Sequence, residues 1–284
     1  MLYFLLVLSI AAAVFKNLIA RMGETEFSGF TAINKLNTVT AAVTIIICFV
    51  GGGRFNGGLS PFNMALAVIN GICSIFAQAL YFKSVQLGSV SISSLFYASG
   101  FLIPTVWGAV YYKEEVKILQ IAALIILLVS LYLGNEKTEG KFNIKWLVTA
   151  LAAMVFSGLL GVFQKLFAES EQGGRLTDFL LIEFTAMLII SGVIQLFTGT
   201  KTAGSKKKFY SLAIITGICT GFINIINIYL SGALPSIIVF PVINGGIIIF
   251  TTVAAMLFFK EKLTTTQKIS VLLGLVSIVI IGVI

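Results

Sequence analysis

The sequence lacks histidine altogether and has few charged residues. Of its 284 residues, 11% are Asp, Glu, Lys or Arg, whereas 58% are hydrophobic. Without histidine, the commonest metal ligand and the commonest general base are missing. The three cysteines, at positions 48, 73 and 219, lie far apart inside apolar segments, where cysteine acts as a small hydrophobic side chain. We therefore expect no catalytic residues, no metal site and no cofactor, so the protein is not expected to be an enzyme. No nucleotide-binding loop is present either, which argues against ATP-driven work by this chain.

Long apolar segments separated by short polar ones make up nearly the whole chain. A helix needs about 20 residues to cross the hydrocarbon layer of a bilayer, and a β-barrel would instead show short alternating strands. Ten such segments are predicted, at residues 2–20, 30–50, 61–84, 90–112, 118–133, 144–168, 177–197, 209–231, 236–259 and 265–284. The sequence therefore predicts an all-α polytopic membrane protein with ten transmembrane helices, located in the cell membrane.

Three short matches in the same order indicate an internal duplication. Residues 14–20 recur at 162–168, and residues 71–73 recur at 217–219. The Lys113–Glu114 pair, at the end of the fourth span, recurs at Lys260–Glu261, at the end of the ninth. The spacing stays close to 147 residues, which predicts two five-helix repeats at residues 1–134 and 135–284. Because five is odd, the second repeat would enter the membrane from the opposite side, as in the inverted repeats of many secondary transporters.

By its length, its five-plus-five repeat and its two Lys–Glu pairs, the chain resembles the drug/metabolite transporter superfamily in its EamA-like ten-helix form. The segment at residues 88–97, leading to Pro104, is also similar to that family. The resemblance implies a carrier of small metabolites that works by alternating access. It also implies a central cavity between spans one to four and six to nine, with spans five and ten at the periphery. The expected partners are a small-molecule substrate and the lipid bilayer, with no nucleic acid; monomer and homodimer both stay open.

Three lysines inside predicted spans fall in the same half of the membrane. They are Lys16, Lys35 and Lys83. An unpaired charge at the centre of a bilayer costs about 3 kcal/mol on insertion scales, so a cluster of amines suggests a ligand of opposite charge. We therefore hypothesise that the substrate carries an anionic group, bound by these lysines. The alternative is that the lysines extend to the lipid headgroups from near the helix ends.

Other polar residues lie on predicted inward faces or beside helix-breaking residues. Gly100 and Pro104 in span four, with Pro241 in span nine, predict interrupted helices at matching places, a mark of transporter sites. The alternative is a kink whose polar residues are satisfied by neighbouring helices. The remaining candidates for substrate binding are Asn17, Asn37, Tyr81, Tyr97, Gln164, Asn227 and Asn244.

Lys165 and Glu183 are predicted in the opposite half of the membrane from the three lysines. They can neutralise each other as a structural ion pair, or they can couple transport to protons. Glu183 is the one carboxylate well inside a predicted span, so it is the candidate for proton coupling.

Membrane orientation and substrate stay open at this point. Eleven lysines and arginines fall on the side of the first loop and four on the side of the termini. The positive-inside rule then puts both termini outside, whereas the family resemblance implies termini in the cytoplasm. The alternatives to a secondary transporter are a flippase for a lipid-linked or amphipathic substrate and a non-transporting membrane receptor or scaffold. The sequence does not reveal the solute, the direction of transport or the coupling ion.

Overall fold

Helices account for all regular structure in the described part of the chain. The computed structural model describes residues 1–23, 25–55, 58–87, 90–134, 144–199, 204–259 and 264–283. The first half contains α1 Leu2–Met22, α2 Phe30–Val50, α3 Pro61–Leu87, α4 Val90–Ala98, α5 Leu102–Tyr111 and α6 Ile118–Gly134. The second half contains α7 Ile144–Ala168, α8 Leu176–Thr198, α9 Lys206–Ala233, α10 Ser236–Phe259 and α11 Thr265–Val283. A 3₁₀ turn at Ser99–Phe101 joins α4 and α5 into one span.

The predicted polytopic fold is confirmed. Among the described residues, nine helical segments are long and apolar enough to cross a membrane, and the shorter apolar helix Ile118–Leu133 is the tenth. Three of the ten, α2, α7 and α10, begin and end at the residues predicted from hydropathy. The boundaries agree because the apolar runs are long and the polar breaks between them are abrupt.

Equivalent helices of the two halves make equivalent contacts. α1 packs against α9, as α7 packs against α3. Helix α1 contacts α10, and its counterpart α7 contacts α4 and α5, the counterpart of α10. In the same way, α3 contacts α8, and the counterparts of these two helices, α9 and α2, contact each other. The pairs α2–α8 and α6–α11 each join a helix to its own counterpart. Two halves related by a two-fold axis would produce this pairing, although the inverted orientation of the repeats stays a prediction.

The loops that follow α1 and α7 reach the opposite half in similar ways. Glu26, after α1, accepts a hydrogen bond of 3.1 Å from the ammonium of Lys208 at the start of α9. Gln172, after α7, accepts hydrogen bonds from the backbone N–H of Ser60 (2.7 Å) and the amide of Asn63 (2.9 Å) at the start of α3. We call these contacts the Glu26 tether and the Gln172 tether. Each brings an acceptor from one half of the chain to the beginning of a helix in the other half.

Only one of the two predicted helix interruptions is present. Span four changes to the 3₁₀ turn just before Pro104, and Gly100 there lies against the backbone of α7 at Gly158. The prediction for span nine is wrong, because α10 continues through Pro241. Proline removes one backbone hydrogen bond, but a membrane helix tolerates this loss where neighbouring helices surround it.

Helices α6 and α11 pack on each other beside α10. Ser130 of α6 and Ser270 of α11 each donate to the other's backbone carbonyl at 2.7 Å. Large apolar side chains such as Ile125 and Leu272 are exposed on the outer faces. Neither helix lines the cavity described below, as the family resemblance implies for spans five and ten.

Candidate functional site: a central cavity

A cavity of about 590 Å³ lies between helices of both halves. The first half contributes α1, α2, α3 and α4, and the second contributes α7, α8 and α9. The cavity wall combines apolar side chains such as Leu36, Phe82 and Met187 with a smaller polar set. The polar lining residues are Lys16, Asn17, Asn37, Thr40, Ser74, Gln78, Tyr81, Tyr97, Gln164, Glu183, Thr216, Thr220 and Asn224. A mainly apolar pocket with a few polar groups is the usual form of a small-molecule site.

Of the three lysines predicted to bind an anion, only Lys16 lines the cavity. Its ammonium has no ion pair or hydrogen bond within the described residues. Lys35 instead packs its ammonium over the rings of Phe209 and Tyr210, at 5.2 and 4.9 Å from their centroids. Lys83 is exposed and lies beside Lys145, away from the cavity. The prediction that the three lysines meet at one site is therefore wrong, because Lys35 is buried against aromatic rings of α9 and Lys83 is exposed.

Two aromatic residues of the predicted site meet at the cavity. The rings of Tyr81 on α3 and Tyr97 on α4 lie with centroids 4.9 Å apart. The Tyr81 hydroxyl shares a hydrogen bond of 2.8 Å with Ser94, which fixes its orientation. Among the amides, Gln164 donates to Asn224 at 3.1 Å and Asn17 donates to Thr251 at 3.2 Å. These contacts leave the amide groups at the wall with acceptor oxygens and donor hydrogens to spare.

Two other candidates lie outside the cavity. Asn227 of α9 accepts a hydrogen bond of 2.5 Å from Ser9 of α1. Asn244 of α10 donates to the carbonyl of Phe240, four residues earlier on the same helix. Both amide groups therefore have hydrogen-bond partners within the helix bundle, as the alternative to a binding role predicts.

Glu183 also lies at the cavity wall, but Lys165 is not its partner. The side chain of Glu183 is only 5% exposed, and its Oε2 atom has no hydrogen-bond partner. Lys165 is 2% exposed and points away from the cavity. The predicted Lys165–Glu183 pair is wrong, and Glu183 is left with Lys16 as the second charged residue of the cavity lining.

Lys165 is the centre of a buried ionic cluster that joins the two halves. Its ammonium lies 2.9 Å from Glu114 after α5 and 2.8 Å from Glu169 after α7. It also donates to the carbonyl of Ser231 at the end of α9, at 2.7 Å. Glu114 in turn accepts from the backbone N–H and the hydroxyl of Ser236, the first residue of α10. The helix dipole favours the carboxylate of Glu114 at this helix N-terminus. We call these groups the Lys165 cluster.

Sequence reasoning missed the role of Glu114. In the sequence, the Lys113–Glu114 pair indicated only the internal duplication, and its echo Lys260–Glu261 lies outside the described residues. A better signal was available in the start of α10 after Pro235, since free N–H groups at a buried helix N-terminus require an acceptor. Asn70 was indicated only as a polar residue of span three, and the structure places it beside Glu183.

No three acidic or cysteine side chains in the described ranges come close enough together to hold a metal ion. The chemistry available at the cavity is therefore binding: one ammonium, one carboxylate, several amides and hydroxyls, and two tyrosine rings in contact. This set can orient a small polar solute within an apolar surround.

Comparison with known proteins agrees with this description. The profile of the EamA-like transporter family matches residues 144–283. A crystal structure with 12% sequence identity superposes with a TM-score of 0.78, covering 97% of this chain and 95% of the other; at that identity the likeness concerns the fold alone. No curated protein sequence is significantly similar to the chain. The second half of the chain, residues 144–283, thus matches the EamA-like transporter family, and this match supports a multi-pass membrane transporter of small molecules of the drug/metabolite transporter superfamily.

Proposed function

We propose that the protein moves a small solute bearing an anionic group, which binds to Lys16 in the central cavity. The observation that carries the proposal is the ammonium of Lys16, which lines the cavity without an ion-pair partner in the described residues. A lone ammonium in a membrane-buried site is costly unless an anion or water meets it. A carboxylate or phosphate on the solute would supply the missing charge.

The size and lining of the cavity support a small polar solute. A volume of about 590 Å³ lies within the range of ordinary ligand sites. The contacting rings of Tyr81 and Tyr97 offer an apolar surface with polar edges, and Gln164 and Asn37 offer amide groups. An anionic metabolite with an apolar or planar part fits this combination better than an inorganic ion does.

Alternating access between the two repeats is the proposed mechanism, with no catalytic step. The cavity is bounded by α1 to α4 from one half and α7 to α9 from the other, so a movement of one half against the other changes its access. The Lys165 cluster bridges the halves at the junction between α9 and α10. Such a contact can hold one side closed while the other is open, which supports a two-state cycle.

The test begins with a thermal-shift screen of purified protein against organic acids, amino acids, nucleotides and amines. Uptake of each stabilising solute is then measured in proteoliposomes for the wild type and for Lys16→Ala. We expect anionic solutes to stabilise the wild type, and Lys16→Ala to lower uptake by tenfold or more, since a charge-assisted hydrogen bond contributes about 1.5–3 kcal/mol.

Two lysine variants serve as matched controls. Lys83→Ala and Lys35→Met remove ammonium groups that do not line the cavity, and both should keep the apparent affinity of the wild type. Uptake by Lys16→Ala equal to that of the wild type, or stabilisation by cations alone, would contradict the proposal.

A flippase for an amphipathic substrate is the second candidate, and one observation favours it. An apolar groove of about 470 Å³ lies between α1 and α10, lined by residues such as Val14, Leu18 and Phe250. It could hold an acyl chain beside the cavity. Replacing Ala11 in the groove by Phe would then reduce transport of a lipid-linked solute and leave transport of a water-soluble one unchanged. Equal effects on both would remove this candidate.

A further inference from the structure

Two neighbouring buried groups, Glu183 at the cavity wall and Asn70 behind it, have polar atoms without hydrogen-bond partners in the described part of the chain. Oε2 of Glu183 and both polar atoms of the Asn70 amide have none, and Asn70 is completely buried. The two side chains lie next to each other, because α3 and α8 come into contact at this level and Gly71 packs directly on the backbone of Glu183. Buried polar groups almost always have partners, so the unpartnered carboxylate oxygen of Glu183 at the cavity wall points to a ligand that binds there.

We infer that Glu183 and Asn70 form a proton-binding site that couples transport to proton movement. This step rests on the proposed function, because coupling requires a transported solute. The proton comes from water in the cavity and binds to a carboxylate oxygen of Glu183. It leaves by the reverse step when the cavity opens to the other side. No bond other than O–H forms or breaks.

Asn70 is suited to both protonation states of Glu183. Its NH₂ group can donate to the carboxylate, and its carbonyl can accept from the carboxylic acid, after a half-turn of the amide. The partner therefore does not lock Glu183 in one state, as a lysine would. The close contact at Gly71 leaves no room for a bulkier group on that side.

The groups around Glu183 leave its charge without an ion-pair partner. On α2 the titratable side chains are Cys48, on which the charge of Glu183 acts, and Lys35, which packs on Phe209 and Tyr210. On α3 they are Cys73, one turn from Asn70, Tyr81 at the cavity and the exposed Lys83. The residues that α9 and α7 present to the cavity are uncharged, and Lys16 of α1 lines it without pairing with Glu183. Glu183 is thus a buried carboxyl group at the cavity wall with no ion-pair partner among the described residues.

The ligand set favours a proton over a sodium ion. Glu183 and Asn70 together offer three side-chain oxygens, whereas hard metal cations require about six oxygen ligands in proteins. A proton requires one oxygen and gains a hydrogen bond from a second. The infrared test described below distinguishes binding of a proton from binding of a sodium ion.

The charges of the cavity also predict the direction of coupling. When an anion occupies Lys16 and a proton occupies Glu183, both charges of the lining are neutralised. Moving a neutral set through an occluded state costs less than moving one unpaired charge. Proton and anionic solute should therefore travel in the same direction.

The site is tested first without any solute. Infrared difference spectra of the reconstituted protein are recorded between acidic and alkaline buffers, in H₂O and in D₂O. We expect a carboxylic acid carbonyl band that disappears in Glu183→Gln and shifts in frequency in Asn70→Ala, because the latter removes a hydrogen-bond partner and keeps the acid. Glu171→Gln, which alters an exposed loop carboxylate, is the control and should leave the band unchanged.

Two spectral results would overturn the inference. One is a difference spectrum that Glu183→Gln and Asn70→Ala both leave unchanged, and the other is a Glu183 carboxylate band that responds to sodium at constant pH but not to pH.

Transport then separates this inference from the proposed function. With a solute found by the thermal-shift screen, an inward proton gradient should accelerate uptake by the wild type and have no effect on Glu183→Gln. Wild-type uptake that ignores the gradient would refute proton coupling and leave the proposed function intact. Absence of uptake for every stabilising solute, with the infrared band present, would refute the proposed function and leave the proton site standing.

Discussion

The ammonium of Lys165 lies 2.9 Å from the carboxylate of Glu114, in a contact that joins the two halves of the chain. Glu114 also receives the first backbone N–H of α10. One side chain thus compensates a buried lysine and caps a helix. The position of α10 relative to α7 depends on this carboxylate.

Replacing Glu114 by Ala should strongly destabilise the protein. The change leaves a buried ammonium with one carboxylate fewer and leaves the N–H of Ser236 without its acceptor. Breaking a buried ion pair on one side costs about 3–5 kcal/mol. Denaturant unfolding in detergent measures the change, and the double variant Glu114→Ala, Lys165→Met should recover part of it.

Glu115→Ala is the matched control, since Glu115 is adjacent but exposed. Its effect should stay within about 0.5 kcal/mol, as for most surface substitutions. Equal destabilisation by the Glu114 and Glu115 variants would show that general charge at this loop matters, and not the buried contact.

The glycine contact between α7 and span four predicts a second sensitive position. A Cβ atom on Gly158 would lie 2.6 Å from the carbonyl oxygen of Gly100 and 2.6 Å from Cδ1 of Ile103. Gly158→Ala should therefore lower thermal stability, by about 1–3 kcal/mol, as overpacking does.

Gly192→Ala on α8 is the control and should not lower stability, because no atom of another element lies within 4 Å of the added methyl group. Alanine is favoured over glycine in a helix interior by about 1 kcal/mol, so this variant should be neutral or more stable. If both variants gained stability, the close contact at Gly100 would be contradicted.

The Glu26 tether predicts a pH dependence at one end of the molecule. The hydrogen bond from Lys208 holds the pKa of Glu26 below its ordinary value. A carboxyl group with a lowered pKa in the folded state stabilises that state above its unfolded pKa, and the stabilisation is lost as the pH falls through the folded value. The midpoint of thermal unfolding should therefore decrease on acidification below about pH 4.

Glu26→Gln tests this directly. In this variant the midpoint of thermal unfolding should decrease less over the same pH interval. Gln172→Glu should instead make the decrease on acidification larger than in the wild type, because it puts a titrating carboxyl group into the Gln172 tether. A wild-type midpoint independent of pH in the acidic range would contradict the assignment.

The sequence predicted the helices well because each span is decided by its own residues. The polar face of α1, with Lys16 and Asn17, and that of α2, with Asn37, reach one cavity as their positions indicated. Periodicity shows which residues share a face of one helix, but it does not show which neighbour covers that face. For this reason the destinations of Lys35 and Lys165 were not predictable, since both depend on side chains from distant elements, Tyr210 and Glu114.

Helix α1 has two different neighbours on two of its faces. Lys16 and Asn17 border the cavity, while Phe15 and Leu18 border the apolar groove with α10. The width of a single helix, about 10 Å, therefore separates the cavity from the groove. With acyl chains in that groove, lipid thickness and saturation would act on the cavity through the tilt of this one helix.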